Sequence, residues 1–329
     1  MEKIIESVLK VNPVSERKKS RLGLNLFVYL GVILLVILSM TVFTPYYQRL
    51  VIEMMIFGLL AMSLDLLIGY TGLISFGHAA FFGLSSYTLG LLITKLEWAL
   101  LPSILFTILF TSLAALIIGV FCVKFNGIQF SMLTLAFGQL LWTVTTNWRS
   151  LTNGLDGFTI MNNFSINLGS VELSLNDPQV LLIFTSILLL LSFWSMNRLV
   201  KAPLGHSLLA IKGNEERTKF LGFNHTRIKL QIFVISAFYA SIAGICFLFL
   251  KSFVAPDYLH WSFSGNVLMM TLLGGMGTLL GPLLGALTFI LFQDWASSIT
   301  ENWMAFVGLA FIIVVLYLPK GVFGWAWKR

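Results

Sequence analysis

The chain has 329 residues, of which 57% are hydrophobic and 11% charged, and it carries a formal charge of +7. A soluble domain carries about 25% charged residues, so the composition excludes a water-soluble fold and describes an integral membrane protein. The basic residues gather at the chain ends and in one loop, which is the pattern of membrane orientation and not of a nucleic-acid surface.

Residues 1–22 include Lys10, Arg17, Lys18, Lys19 and Arg21 and are expected to form a cytoplasmic N-terminal segment. Residues 1–9, MEKIIESVL, suit a short amphipathic helix on the membrane surface. The apolar run from Leu22 to Phe43 is too long for a signal-peptide core and has no small-residue cleavage site, so it reads as an uncleaved first span. Further apolar runs at 48–68, 100–121, 128–148, 178–198, 230–250 and 302–318 each match the roughly 20 residues that a span needs. Two more regions, 72–94 and 262–299, are apolar but broken by glycine. The second reads as two elements, about 262–278 and 280–299, or as one span plus a re-entrant piece. The expected fold is therefore all-α: a single polytopic membrane domain over 23–329, with about ten transmembrane or re-entrant helices and two glycine-broken segments.

Charge sets the orientation. Counting from a cytoplasmic start, the loop 198–229 falls inside, and it holds Arg198, Lys201, Lys212, Arg217, Lys219, Arg227 and Lys229 against Glu215 and Glu216. The loop 149–177 falls outside with Arg149 against Asp156, Glu172 and Asp177, and the tail ending Lys328-Arg329 returns inside. The expected topology is N-in and C-in, with Arg49, Lys95 and Lys251 as basic residues on the outer side.

The glycine-broken stretches, GYTGLISFGHAAFFG at 69–83 and GGMGTLLGPLLG at 274–285, lie midway through the two halves of the chain. Paired interrupted segments of this kind point to a transporter's central site. Ser75, Ala79 and Gly83 are spaced four apart, as are Gly277, Gly281 and Gly285, which gives each helix a stripe of small side chains for close packing. Packing does not account for the further glycines at Gly69 and Gly72. Backbone freed there must be buried in protein or line a wet cavity. A helix broken at Gly72 would restart near Ser75, a good N-cap residue.

His78 stands inside an apolar segment, either as a neutral ring bonded to a neighbouring helix or as a group facing a path. Asp65 reads as a solvated or helix-ending carboxylate, with a proton or ion site as the sharper alternative. No His, Cys or carboxylate partner at metal-ligand spacing lies near His78, and Cys122 and Cys246 both sit in apolar runs, so no metal site is expected. There is no phosphate-binding GxxxxGK[ST] motif, so ATP, if used, would be hydrolysed on another chain. The loop from Ala202 to Leu230 is opened by Pro203 and Gly205, closed by Gly222, and carries Leu208, Leu209, Ile211, Phe220 and Leu221 among charges. It reads as one compact amphipathic helix suited to another protein's groove.

Six segments then carry a family resemblance: GYTGLISFGHAAFFGLSSYTLGLL (69–92), FNGIQFSMLTLAFGQL (125–140), LTNGLDGF (151–158), PLGHSLLAIKGNEERTKFLGF (203–223), SGNVLMMTLLGGMGTLLGPLLGA (264–286) and LPKGVFG (318–324). In this order they resemble the membrane permease subunit of bacterial ABC importers for branched-chain amino acids, of the larger type in the paired system. The resemblance implies a coupling helix in the loop at about 198–229, seated in an ATPase, with Gly205, Asn214, Glu215, Glu216 and Gly222 on the family's recurring positions. It implies that Gly69, Gly72, Ser75, Gly77, His78 and Asp65 line or brace a translocation path, and that Asn153 and Asp156 lie near a docking periplasmic binding protein. Asp65 departs from the Asn common in relatives, and His206 and Lys212 stand where relatives often carry Arg.

The implied function is substrate passage by alternating access across the bacterial inner membrane, driven by two separate ATPases and shared with a second permease. No cofactor is expected on this chain and no nucleic-acid partner. A urea or short-amide importer permease is the near alternative. From other classes, an ion-coupled secondary transporter would use Asp65 and His78, while an intramembrane enzyme lacks any nucleophile or metal pattern.

Overall fold

Inside a bilayer every backbone amide must be bonded within its own segment or by neighbouring protein. This chain meets the requirement with helices. The computed structural model describes residues 29–160, 164–168, 171–317 and 321–322. The basic segment and surface helix expected over 1–22, the terminal Lys328-Arg329 and most of LPKGVFG lie outside the described residues.

The longer helices are α1 (Tyr29–Val42), α2 (Pro45–Thr71), α3 (His78–Thr94), α4 (Leu100–Cys122), α5 (Gly127–Asn147) and α6 (Pro178–Lys201). They continue with α7 (Pro203–Gly213), α8 (Glu215–Phe220), α9 (His225–Lys251), α10 (Trp261–Gly274), α11 (Leu280–Ile299) and α12 (Trp303–Tyr317). Among the described residues α2, α4, α5, α6 and α9 are long and apolar enough to cross a membrane. The chain is thus an all-helical, multi-pass membrane protein. Two small antiparallel ribbons interrupt it: β1 (Phe158–Thr159) pairs with β4 (Phe253–Val254), and β2 (Ser165–Leu168) pairs with β3 (Val171–Ser174).

Local chemistry places the helix ends. Pro45 and Pro178 occupy first-turn positions, where a missing N–H costs nothing. Asp177 caps α6 by accepting the Gln179 amide at 3.0 Å. Gly72, in the left-handed region at φ 77, ends α2 by donating its amide to the Ile68 carbonyl at 3.1 Å.

Helix α2 is the centre of the bundle, buried from Val51 to Thr71 at every position but Glu53. It packs on α9, α11, α6 and α10, while α3 packs on α9, α4 and α5. Phe57, Phe82, Phe247 and Phe263, from four helices, share a cluster with ring centroids 5.2–6.3 Å apart. Helix α4 instead turns Leu105, Leu109, Leu113 and Ile117 outward, as a lipid-facing wall would.

Small residues permit the closest crossings. At Gly244 of α9 a β-carbon would run into the carbonyl oxygen of Phe82 and the hydroxyl of Ser85. Ser86 bonds the Gly244 carbonyl across the same crossing at 2.8 Å. The two expected small-residue stripes each lose a member. Ser75 and Gly277 lie in the connections before α3 and α11, leaving Ala79 with Gly83 and Gly281 with Gly285 on the helices. Positive φ at Gly275 and Gly277 removes the second connection from the helix. Gly281 and Gly285 press against the α10 backbone at Gly274 and Met270, and Gly83 against Leu259.

Gly244→Val should wedge α3 from α9 and cost about 1–3 kcal/mol. A lowered thermal midpoint in detergent would register it. Gly265→Val, at a position with nothing within 4 Å of an added β-carbon, should leave the midpoint unchanged.

Candidate functional site

The end of α2 forms the first part of the site. Asp65 is fully buried, and the expectation of a solvated or helix-ending carboxylate is corrected here. Its two oxygens accept backbone amides from the α10–α11 connection: Oδ1 from Gly277 at 2.7 Å and Oδ2 from Leu279 at 3.2 Å. Leu279 holds φ 58, a costly conformation for a side chain of its shape, so the bond to Asp65 also braces a strained turn. Gly69 remains helical, one turn beyond Asp65. Its role is contact: a β-carbon there would stand 2.5 Å from the Gly277 nitrogen and 2.7 Å from the Gly277 Cα. The two glycine-broken segments therefore touch through their glycines, and the carboxylate ties them together.

The connection 72–77 follows. The expected N-cap at Ser75 is corrected: α3 begins at His78, with Gly77 at the cap and no side-chain cap bond. Gly77 lies against the Thr134 carbonyl, where no β-carbon fits. The freed backbone is bonded by protein. Ser131 donates to the Ile74 carbonyl at 2.7 Å, the Phe76 amide reaches Thr134 Oγ1 at 3.3 Å, and the Ala79 amide reaches Ser264 Oγ at 2.9 Å. Ser75 is buried and its hydroxyl has no hydrogen-bond partner.

His78 Nε2 lies 2.7 Å from Ser63 Oγ of α2, and Ser63 in turn bonds the Leu60 carbonyl at 2.7 Å. The serine proton is committed to that carbonyl, so the ring donates from Nε2 and Nδ1 is left as an acceptor. Nδ1 is buried without a partner. The residue is thus tied to a neighbouring helix while keeping one open polar atom. Among the described residues, no three His, Cys, Asp or Glu side chains converge to hold a metal ion.

The loop expected as a single amphipathic helix is two helices, α7 and α8. Asn214, extended at φ −163, breaks them and caps α8 by accepting the Arg217 amide at 3.0 Å. Glu215 and Glu216 follow in the first turn, where carboxylates favour the helix dipole. Gly222, at φ 82, ends α8. Gly205, Leu208 and Ile211 are the buried face of α7, and Gly205 meets the Val200 backbone. Leu209, Phe220, Leu221 and Phe223 are exposed, Phe220 by 92%.

The two glutamates separate. Glu216 points to solvent, whereas Glu215 turns inward to Lys229 Nζ at 2.7 Å and His225 Nε2 at 3.3 Å. Lys229 is buried and also bonds Asn126 at the start of α5, so three elements meet on it. Burial would raise the Glu215 carboxyl, but the Lys229 hydrogen bond and charge, with His225 and Lys219, hold it below its ordinary value. Lys212 of α7 reaches the other way and donates to the Gly69 carbonyl at 2.7 Å.

Sequence reasoning named Lys229 only among the loop charges and Asn126 only within FNGIQF, and did not single out Ser63. A buried lysine surrounded by loop charges has no signature in one sequence. Asn153 and Asp156 lie at the opposite end of the bundle. Asn153 adopts φ 66 and spends its amide on the Gly157 carbonyl at 2.8 Å, while Asp156 is exposed.

Comparisons with known proteins agree on one family. A model described as "Branched-chain amino acid transport system / permease component" matches residues 46–316. The high-affinity branched-chain amino acid transport system permease protein LivM of Salmonella typhimurium is 27% identical over 291 residues, 82% of this chain and 68% of the relative. The protein of the same name from Escherichia coli is 26% identical with the same coverage. The ribose import permease protein RbsC of Haemophilus influenzae is 30% identical over 129 residues, 37% of this chain and 40% of that one. No solved structure gives a significant match.

Glu215→Ala should cost on the order of 3 kcal/mol by leaving the Lys229 charge buried against Asn126 only, and Glu215→Ala with Lys229→Met should regain most of it. Detergent melts of both variants check this. Because the folded Glu215 sits below its ordinary value, its contribution is full above the unfolded pKa of about 4.3 and disappears as pH falls through the folded one. Melts at pH 7 to 8, where His225 is neutral, should therefore show the full difference between wild type and Glu215→Ala, and acidification through the folded Glu215 value should shrink it.

Proposed function

The chain belongs to the family of branched-chain amino acid transport system permease components, and from that premise we propose that it is one membrane subunit of an ABC importer. It carries branched-chain or other apolar amino acids across the bacterial inner membrane by alternating access. ATP is hydrolysed on two cytoplasmic ATPases, a related permease completes the path, and a periplasmic binding protein delivers the cargo.

The observation that carries this reading is a juxtaposition. The last turn of α2 meets the glycine-broken α10–α11 connection at Gly69 and Gly277 around the Asp65 carboxylate, and the two-helix loop α7–α8 reaches the same turn of α2 through Lys212. Interrupted helices in two halves mark transporter centres, and a polar loop at their end is where an external motor would grip. Phe220 and Leu221, exposed beside Arg217 and Lys219, suit a groove on an ATPase. With α1 to α6 and α9 to α12 crossing in turn, the loop 198–229 lies inside, as its excess of lysine and arginine favours. Residues 23–329 then form one transmembrane domain.

In this reading the path needs few polar groups, because conduction also requires release. His78 Nδ1 and Ser75 Oγ are buried polar atoms with no protein partner, and they are the candidates to meet a zwitterionic cargo. Asp65 does not fill that role: both oxygens are occupied by backbone amides, which also speaks against its use as a proton carrier in a secondary transporter.

Uptake in proteoliposomes tests the proposal. The vesicles hold this chain, the permease and ATPases encoded beside it, and candidate binding proteins. Labelled leucine should accumulate only with internal ATP. ATP-dependent urea uptake would change the cargo, and uptake driven by a proton gradient without ATP would overturn the importer. In the same assay His78→Ala should alter the rate or the range of amino acids carried; a wild-type profile would make His78 a packing residue only.

A further inference from the structure

Lys212 differs from the rest of α7. The residue is exposed, yet its ammonium donates to the Gly69 carbonyl of α2 at 2.7 Å. That carbonyl belongs to the last turn of α2, where no following amide is available. The Leu73 amide, which a continued helix would have aimed at it, goes instead to Thr71 Oγ1 at 3.3 Å. A cation at a helix C-terminus also complements the dipole. The Lys212 stem covers Gly72, 3.6 Å from where a β-carbon would sit.

The contact leads further in. One turn before Gly69, Asp65 holds the Gly277 and Leu279 amides, and Gly69 itself presses on Gly277. Lys212, the end of α2 and the α10–α11 connection are therefore joined in series by hydrogen bonds and backbone contact. Packed elements of this kind transmit displacement as a body.

We infer that Lys212 is a positioning residue for transport: it passes the movement of α7 to α2 and, through Asp65, to the connection between α10 and α11, so that both halves of the chain shift together. The inference rests on the chain being a permease driven by separate ATPases. It assigns Lys212 an inward role, distinct from the outward contacts of Phe220 and Leu221.

The test uses the complete complex in proteoliposomes, with labelled leucine uptake and ATP hydrolysis measured on the same samples. Lys212→Met keeps the stem over Gly72 and removes the ammonium. Leucine uptake should fall about ten-fold, in the usual range of coupling between sites, while ATP hydrolysis stays within about two-fold of wild type. Lys212→Arg, which can still donate to the Gly69 carbonyl, should restore most of the uptake. The ATPases should copurify with all three proteins.

Wild-type uptake by Lys212→Met would overturn the inference. So would a parallel loss of uptake and hydrolysis, or loss of the ATPases on copurification, since both describe docking. If Lys212→Met does not insert, Lys212→Gln serves as the second variant, and hydrolysis falling in step with uptake would count against the inference in the same way. Absence of ATP-dependent uptake in wild type would instead defeat the importer reading, and the two failures are thereby told apart.

Discussion

Helix α2 ends inside the bundle, and the fate of the backbone freed there governs much of the rest of the structure. A bilayer offers no water to satisfy it. The chain answers with three kinds of donor and acceptor: a left-handed glycine that closes the helix, serine and threonine hydroxyls from α5 on Ile74 and Phe76 and from α10 on Ala79, and a lysine on the Gly69 carbonyl. The same requirement in the second half, at 275–279, is met from α2 by Asp65. Each broken segment is thus completed by parts of the chain far away in sequence, which makes the breaks the points where the fold is knitted together.

This explains why a fully buried carboxylate is tolerable. An isolated ion in such a place would cost many kcal/mol, but two backbone amides replace much of the lost hydration. The glycines contribute by permitting approach. A side chain at Gly69 would push the last turn of α2 from the α10–α11 connection and pull the Gly277 amide from the carboxylate. Polarity and small size serve one contact.

At the same end of the bundle, α7 and α8 divide the work that one helix was expected to do. Leu208 and Ile211 hold α7 to the core, Glu215 holds α8 to α9 through Lys229, and the apolar residues at 220, 221 and 223 remain outside. The loop is thus anchored at two points and presents an exposed apolar tip. At the opposite end the β1–β4 ribbon ties the loop after α5 to the chain beyond α9, beside an ion pair between Lys251 and Glu53 at 2.9 Å and a hydrogen bond from Tyr46 to Asp294 at 2.5 Å. Screening weakens the charged contacts.

Composition alone identifies lipid as the solvent of this protein. Long apolar runs, sparse charge and a basic loop at 198–229 follow from bilayer thickness and membrane orientation, which act on local composition. Six segments in order were enough to point to the permease family. The sequence also marked the regions around Gly72 and Gly275 as broken, because glycine there is locally visible. Packing between distant helices settled where the breaks fall, with α3 starting at His78 and not near Ser75, and what Asp65 does, since its partners lie 212 and 214 residues away. It decided likewise that Glu215 faces Lys229 while Glu216 faces water. Composition and period act over one helix turn or one span; the hydrogen bonds of a buried polar group are chosen by whichever backbone the packing of distant helices brings to it.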